Sequence, residues 1–353
     1  MKGVIMENRN IEERHTENDG RLLSARVATK ASANMYSPPG FFKLQIKRLK
    51  KHRLILWFII PAALFTLIFS YIPMMGVLFA FKDTKFDYAM RAGADILGAL
   101  QYSAWTLETI KAIFNSDFLS ALWNSVFINL IKLVIVFPLS ILIAVQLSEL
   151  KNQTSAKLVL IIICIPNFLS WTTVVATWNG FLDPSFGFLG KMLKDLTKGE
   201  SLTYYEWSFK PLFVFLNAWK GAGWGCIMYY AAITAIDKTY YESATIEGAN
   251  KFQKTLYLTI PSIAPTIALM LVMNISGFLG VGLDQVKLML DKASYYDSQK
   301  TLDLYIYEMS IGNGAGVSYV QAAALGVFNG LTGLILMLVG NKITTKTLHK
   351  SLW

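Results

Sequence analysis

The sequence predicts an all-α, polytopic membrane protein with six transmembrane helices and both termini on the cytoplasmic side. Composition carries the first part of this: 54% of the residues are hydrophobic and only 16% are charged, a balance too apolar for a soluble domain of 353 residues. Apolar runs of membrane length recur along the chain, and a hydrocarbon core about 30 Å thick takes roughly 20 such residues per helix. Cations, finally, concentrate on one set of connecting segments.

Residues 1–40 are polar, with Ser, Thr and Asn and a Pro38-Pro39 break, and read as a mobile cytoplasmic extension without the apolar core of a cleavable signal peptide. Over 41–53, Phe42, Ile46 and Leu49 recur at helical spacing among Lys43, Lys47, Arg48, Lys50, Lys51 and Arg53. This fits a short basic helix lying in the membrane interface and, equally well, an ordinary basic flank. A six-helix domain follows over 54–343, with spans at 54–81, 118–148, 158–182, 211–236, 255–283 and 309–341, the last becoming apolar near Tyr319. Residues 344–353 form a cytoplasmic tail. No span contains Asp or Glu, and only the second and fourth contain a lysine, Lys132 and Lys220.

Orientation follows from the positive-inside rule. With the N-terminus inside, the inner flanks 43–53, 149–157, 237–254 and 342–353 carry more than twice the Lys and Arg density of the outer segments 82–118, 183–210 and 284–308. The formal charge of +10 therefore reflects membrane orientation and anionic lipid rather than a nucleic-acid partner. The long outer segments mix charge with Trp, Tyr and Phe, as either a surface for an external partner or a self-packed cap.

Several chemistries lack their residues. His15, His52 and His349 lie in terminal segments or a membrane flank, where no span organises them into a metal or acid–base site. Cys164 and Cys226 fall inside predicted spans, where apolar packing is expected rather than a disulfide. Gly187-Phe188-Leu189-Gly190-Lys191 has the wrong spacing for a phosphate loop, so no cofactor is expected in this chain. Asn152-Gln153-Thr154 is a glycosylation sequon by letters only, since it faces the cytoplasm in this topology. GxSxG and HExxH are absent as well, which argues against an intramembrane hydrolase.

The segment 237–260 is a polar interruption between two apolar runs on the cytoplasmic side. Thr239 and Glu242 have capping-box spacing and place a helix start near Tyr240. Gly248 permits a sharp turn, and Phe252, Leu256 and Leu258 are expected to pack a second amphipathic helix back under the membrane domain. Pro261 suits the start of the fifth span, which Pro265 is expected to bend. A short helix, a glycine turn and a second helix make a projecting knob.

These residues resemble the cytoplasmic signature of membrane subunits of binding-protein-dependent ABC importers: Glu-Ala-Ala, Gly after three residues, and aliphatic-x-aliphatic-Pro after nine more. Glu242-Ser243-Ala244 is followed by Gly248, and Leu258-Thr259-Ile260-Pro261 closes the pattern at the required distance. Ser243 stands for the first alanine and Glu247 where many relatives have Asp, both mild changes. Tyr71-Ile72-Pro73-Met74, Asn124 to Asn129 and the Trp219 to Gly225 stretch are similar to the maltose-type sugar-importer branch, in its six-helix members for complex oligosaccharides and polysaccharides. The likeness covers about 50–353.

The resemblance implies a non-catalytic permease subunit of the bacterial cytoplasmic membrane that moves a carbohydrate by alternating access. It implies a second homologous permease subunit and two cytoplasmic ATPase subunits, which bind ATP and Mg. An extracytoplasmic solute-binding protein would deliver the sugar. The coupling set would be Glu242, Ser243, Ala244, Glu247, Gly248, Ala249, Leu258 and Pro261, with Glu242 pairing a cation of the ATPase or serving as a plain helix cap. The alternatives are a permease of a non-sugar ABC importer or an ion-coupled carrier; the carrier would place acids inside its spans.

For the translocation path, Lys132 must face the bundle interior, because an unpaired cation at mid-span costs about 2.5–3.5 kcal/mol or more. Asp284 is its nearest acidic neighbour by predicted depth, as a structural pairing rather than a sugar contact. Asn129, Asn217, Trp219, Trp224, Tyr229 and Asn274 offer amides and aromatic faces suited to a carbohydrate, although each alone suits helix packing. Lys220 sits among Gly221, Gly223 and Gly225, where helices can approach closely, and Gly326, Gly330 and Gly333 suit packing in the last span.

Overall fold

A computed structural model describes residues 53–290, 296–311 and 317–348. The predicted extension 1–40, nearly all of the interfacial helix at 41–53 and the tail beyond 348 lie outside the described residues. The chain divides into two units, 1–74 and 75–353. In the first, α1 (Arg53–Thr66) is followed by one widened π turn at Leu67–Tyr71 and a helical turn at Ile72–Met74. Trp57, Phe65, Phe69 and Tyr71 are all exposed, and a helix apolar on every side suits lipid.

The second unit is built on long helices separated by short ones. Its outer segments form α2 (Lys85–Arg91) and α3 (Ile96–Tyr102), before α4 (Ser116–Ser148). The third predicted span divides into α5 (Gln153–Cys164) and α6 (Trp171–Leu182), and α7 (Phe188–Leu193) leads to α8 (Glu206–Thr234). Next come α9 (Lys238–Ile246), α10 (Lys251–Lys254) and α11 (Ile260–Ser276). The chain closes with α12 (Leu283–Leu290), α13 (Leu302–Ile311) and α14 (Tyr319–Leu348). The last helix therefore runs beyond the predicted tail boundary at 343. The expected bend at Pro265 does not interrupt α11, whose first turn carries Pro261.

Ile59–Phe81, Ser116–Ser148, Lys251–Ser276 and Tyr319–Lys346 are long and apolar enough to cross a membrane. Among the described residues, the pair over Gln153–Phe168 and Trp171–Leu182 brings the number to five if taken as one span, but it is bent by 97°. The unbroken third span that the sequence suggested is thus corrected. Pro166 opens a tight turn at Ile165–Phe168, and Ser170 restarts the chain by accepting the Thr173 N–H at 3.2 Å. α8 is 29 residues long, although Lys210 and Lys220 lower its apolar character.

Close helix approach follows from small residues. A Cβ on Gly223 would run into the Ile163 carbonyl, one on Gly225 would lie 2.8 Å from Ser140 Oγ, and one on Gly333 would lie 2.7 Å from the Ser276 carbonyl. These contacts let α8 nest between α5 and α4, and α14 against α11. Gly333 is therefore used within this chain. Cys164 and Cys226 are buried and free, and both thiols point to the Gly223 carbonyl at 3.4 and 3.0 Å.

One face of α4 anchors the outer segments. Asn124 donates to the Ser298 and Lys300 carbonyls at 2.8 and 3.0 Å, and Ser125 Oγ accepts the Leu302 N–H at 2.8 Å. Asn129 donates to the Phe278 and Gly280 carbonyls at 2.8 and 3.3 Å. Lys82, 2% exposed, donates to the Leu100 and Ser103 carbonyls at the end of α3, and Asp87 accepts from Ser318 Oγ and the Val320 N–H at the start of α14. Lys300 sits in an ion-pair cluster: burial pulls its pKa down, but Glu308 at 2.8 Å and Asp297 at 3.2 Å more than offset this and raise it. The outer segments are thus in large part a self-packed cap, with Tyr102, Trp105, Phe186 and Trp207 left exposed.

Candidate functional site

Two regions gather the candidate residues. The first is the loop between α8 and α11. Asp237, not Thr239, caps α9: its Oδ1 accepts the Thr239 N–H at 3.0 Å and the Thr239 hydroxyl at 2.8 Å. Those two bonds hold its carboxyl below the usual carboxylate range. The expected capping box at Thr239 and Glu242 is replaced by one at the next helix, where Asn250 Oδ1 accepts the Gln253 N–H and Gln253 Oε1 accepts the Asn250 N–H, each at 2.8 Å. Removing it by Asn250→Ala is expected to cost about 1 kcal/mol locally. Amide exchange at Gln253 reports this as a rise of about fivefold.

Gly248 joins α9 to α10 with φ +83°. Its N–H donates to the Thr245 carbonyl at 3.0 Å and the Ala249 N–H donates to the Ala244 carbonyl at 2.9 Å, closing the end of α9. Tyr241 and Thr259 hydroxyls meet at 2.9 Å, and Lys254 Nζ donates to Thr245 Oγ1 at 2.7 Å. Glu149, at the end of α4, accepts from Thr255 Oγ1 at 3.4 Å and lies 4.0 Å from Lys251. That exposed ion pair is worth at most about 1 kcal/mol.

Glu242, Ser243, Glu247 and Gly248 are exposed, while Ala244, Ala249 and Leu258 are half-buried. The expected packing of Phe252 and Leu256 beneath the membrane domain does not occur: they are 74% and 45% exposed. α10 lasts only four residues before the chain widens into a π turn at Thr255–Thr259, which carries Thr259 inward and leaves Leu256 outward. Ile246 and Tyr257 are likewise exposed, at 88% and 75%. Neither stood out in the sequence; the signal available was a lone isoleucine in a polar helix end.

The second region is a cavity of about 360 Å³ lined by α4, α8 and α11. It brings together Asn129, Lys132, Asn217, Trp224, Tyr229 and Asn274, with Gly221 and Gly225 in its wall. Asn217 Nδ2 donates to Gln285 Oε1 at 3.2 Å, and Asn274 Nδ2 donates to the Met270 carbonyl at 2.8 Å. Lys132 Nζ makes one contact, a 3.3 Å bond to the Val281 carbonyl.

Three expected path residues lie outside the cavity lining. Lys220 instead donates to the Asn167 and Leu169 carbonyls at 2.7 Å each and to Pro166 at 3.5 Å. The Asn167 and Leu169 carbonyls lie at the break between α5 and α6, and an ammonium there complements a helix C-terminus. Trp219 packs on Trp178 at 5.8 Å between ring centroids. Asp284 is exposed on the first turn of α12 and forms no ion pair with Lys132; Asp303, whose Oδ2 accepts the Val281 and Gly282 N–H groups, is the acid whose field reaches that lysine.

Comparisons with known proteins agree with this geometry. The family described as "Binding-protein-dependent transport system inner membrane component" matches residues 136–341. Protein LplB of Bacillus subtilis is 33% identical over 303 residues, covering 84% of this chain and 90% of its own length. The polygalacturonan/rhamnogalacturonan transport system permease protein YteP of the same organism is 30% identical, covering 86% and 91%. A bacterial ABC transporter involved in import of the acidic polysaccharide alginate superposes with a TM-score of 0.74 at 28% identity, covering 86% of this chain and 99% of its own. Its complex with an alginate pentasaccharide-bound periplasmic protein gives a TM-score of 0.73 at 28% identity, covering 87% and 99%.

Proposed function

The chain belongs to the inner-membrane components of binding-protein-dependent transport systems, as a multi-pass permease subunit, and we propose from this premise that it imports an oligosaccharide powered by separate ATPases. In this reading six spans place both termini and 237–260 in the cytoplasm. The chain pairs with a second, homologous permease, and each presents its loop to one of two ATPase subunits, which hold the ATP and Mg. An external binding protein delivers the sugar; the similar alginate transporter forms a complex with an alginate pentasaccharide-bound periplasmic protein.

The observation that carries the proposal is the helix, glycine turn and helix over 238–254, which presents Glu242 with no ion partner among the described residues, together with an exposed Ile246. A free carboxylate and an apolar tip suit docking into a groove with a cation at one end. ATP-driven closure of the ATPases would then draw two such knobs together and tip the helices between inward-facing and outward-facing arrangements. Each ligand shifts that balance only by its preference for one state.

The cavity on α4, α8 and α11 has amides and aromatic faces suited to sugar rings, and no Asp or Glu lines it. That favours this reading over an ion-coupled carrier. Proteoliposomes holding the full complex provide the test. Uptake that requires internal ATP and the binding protein is expected; uptake driven by a proton or sodium gradient without ATP would overturn the proposal.

A further inference from the structure

We infer that Lys132 is the substrate-reading cation of the cavity and that the carbohydrate it reads is acidic, carrying a uronate carboxylate. This rests on the importer reading above.

The chain supplies its own standard for a structural lysine. Lys220 and Lys82 are 8% and 2% exposed. Each ammonium is held by at least two backbone carbonyls, at 2.7 and 2.7 Å for Lys220 and at 2.7 and 3.0 Å for Lys82. Each also lies over an indole, Trp171 or Trp105. Neither lines the cavity between α4, α8 and α11.

Lys132 differs on every count. It is half-buried, lines the cavity, and has one long bond of 3.3 Å to Val281. An ammonium has three donors, so two remain for whatever enters. Asp303 does not neutralise it by contact: its Oδ2 accepts the Val281 and Gly282 N–H groups at 2.7 and 3.1 Å. Among the described residues that line the cavity, Lys132 is the one charged group.

Water in the open cavity hydrates this cation. A sugar that fills the cavity displaces that water and must supply what it provided, because an unpaired ammonium in a membrane interior is costly. Neutral hydroxyls do this poorly. A carboxylate forms a charge-assisted bond about 2.7–2.9 Å long, roughly twice as strong as a neutral one. Trp224, exposed in the same cavity, supplies an aromatic face for the sugar ring, so the indole reads the ring and Lys132 reads its charge.

The test compares wild type with Lys132→Gln and Lys132→Arg in the complete importer reconstituted in proteoliposomes. Uptake is measured from two pools: oligosaccharides from digested polygalacturonate and alginate, and oligosaccharides from digested starch and galactan. Wild type should take up the acidic pool. Lys132→Gln should lower that uptake at least about tenfold, equivalent to about 1.4 kcal/mol, while Lys132→Arg keeps most of it. Both variants should copurify with the partner permease and ATPase subunits in the wild-type proportion, which shows that they are assembled. Uptake of the neutral pool alone, or acidic uptake that survives Lys132→Gln, would overturn the inference and leave the importer reading standing. Absence of ATP-dependent uptake from either pool by a complex that hydrolyses ATP would remove both.

Discussion

Gly248→Pro is expected to abolish sugar-stimulated ATP hydrolysis and uptake, lowering both at least tenfold, while the membrane helices remain assembled. Proline holds φ near −65°, whereas Gly248 has φ +83°, so the turn between α9 and α10 cannot form as it stands. Proline also removes the N–H that donates to the Thr245 carbonyl. Gly248→Ala separates strain from space: a Cβ there meets nothing within 4 Å, yet the left-handed conformation still costs about 1–2 kcal/mol. Its loss of coupling should therefore be partial. Stimulated ATPase activity of purified complexes checks both, and full activity in the proline variant would mean that this turn does not couple.

Lys220→Met is expected to destabilise the bundle by on the order of 3 kcal/mol. The substitution keeps the aliphatic stem but removes the donors serving the Asn167 and Leu169 carbonyls. Each buried acceptor left unpaired costs about 1–3 kcal/mol, and the site is only 8% exposed. Thermal unfolding of the detergent-solubilised protein should show a clear fall in midpoint, with Lys220→Arg retaining part of it. Two glycines calibrate the same helix. Gly221→Ala should be nearly silent, since nothing lies within 4 Å of the added Cβ, whereas Gly223→Ala meets the Ile163 carbonyl and should resemble Lys220→Met.

The contrast between Lys132 and Lys220 shows where the sequence was legible and where it was not. Both lysines interrupt apolar runs and stand among the candidate path residues. Only the break between α5 and α6, which exposes the carbonyls of residues 166–169, separates the structural lysine from the one facing the cavity. Pro166 and Ser170 hinted at that break, but the surrounding run of apolar residues masked it. The loop was legible because glycine geometry is local: Gly248 takes the positive φ that its spacing implied. The facing of Leu256 was not legible, since one widened turn at Thr255–Thr259 shifts the register of every side chain in it. The start of α9 was misplaced for a related reason: Asp237 competes with Thr239 for the same kind of bond, and spacing alone does not choose between them.

The account stands most directly on where the tip of α9 sits when ATP is bound. Ile246 is 88% exposed, and the native thiols Cys164 and Cys226 are buried, so Ile246→Cys offers a reporter with little background. A short bifunctional thiol reagent applied to the complex, with single cysteines placed along the groove of the copurified ATPase, measures the contact. The account predicts an adduct between position 246 and the ATPase whose yield changes when ATP is added. A complex that hydrolyses ATP but gives no adduct from position 246 at any groove position would contradict it.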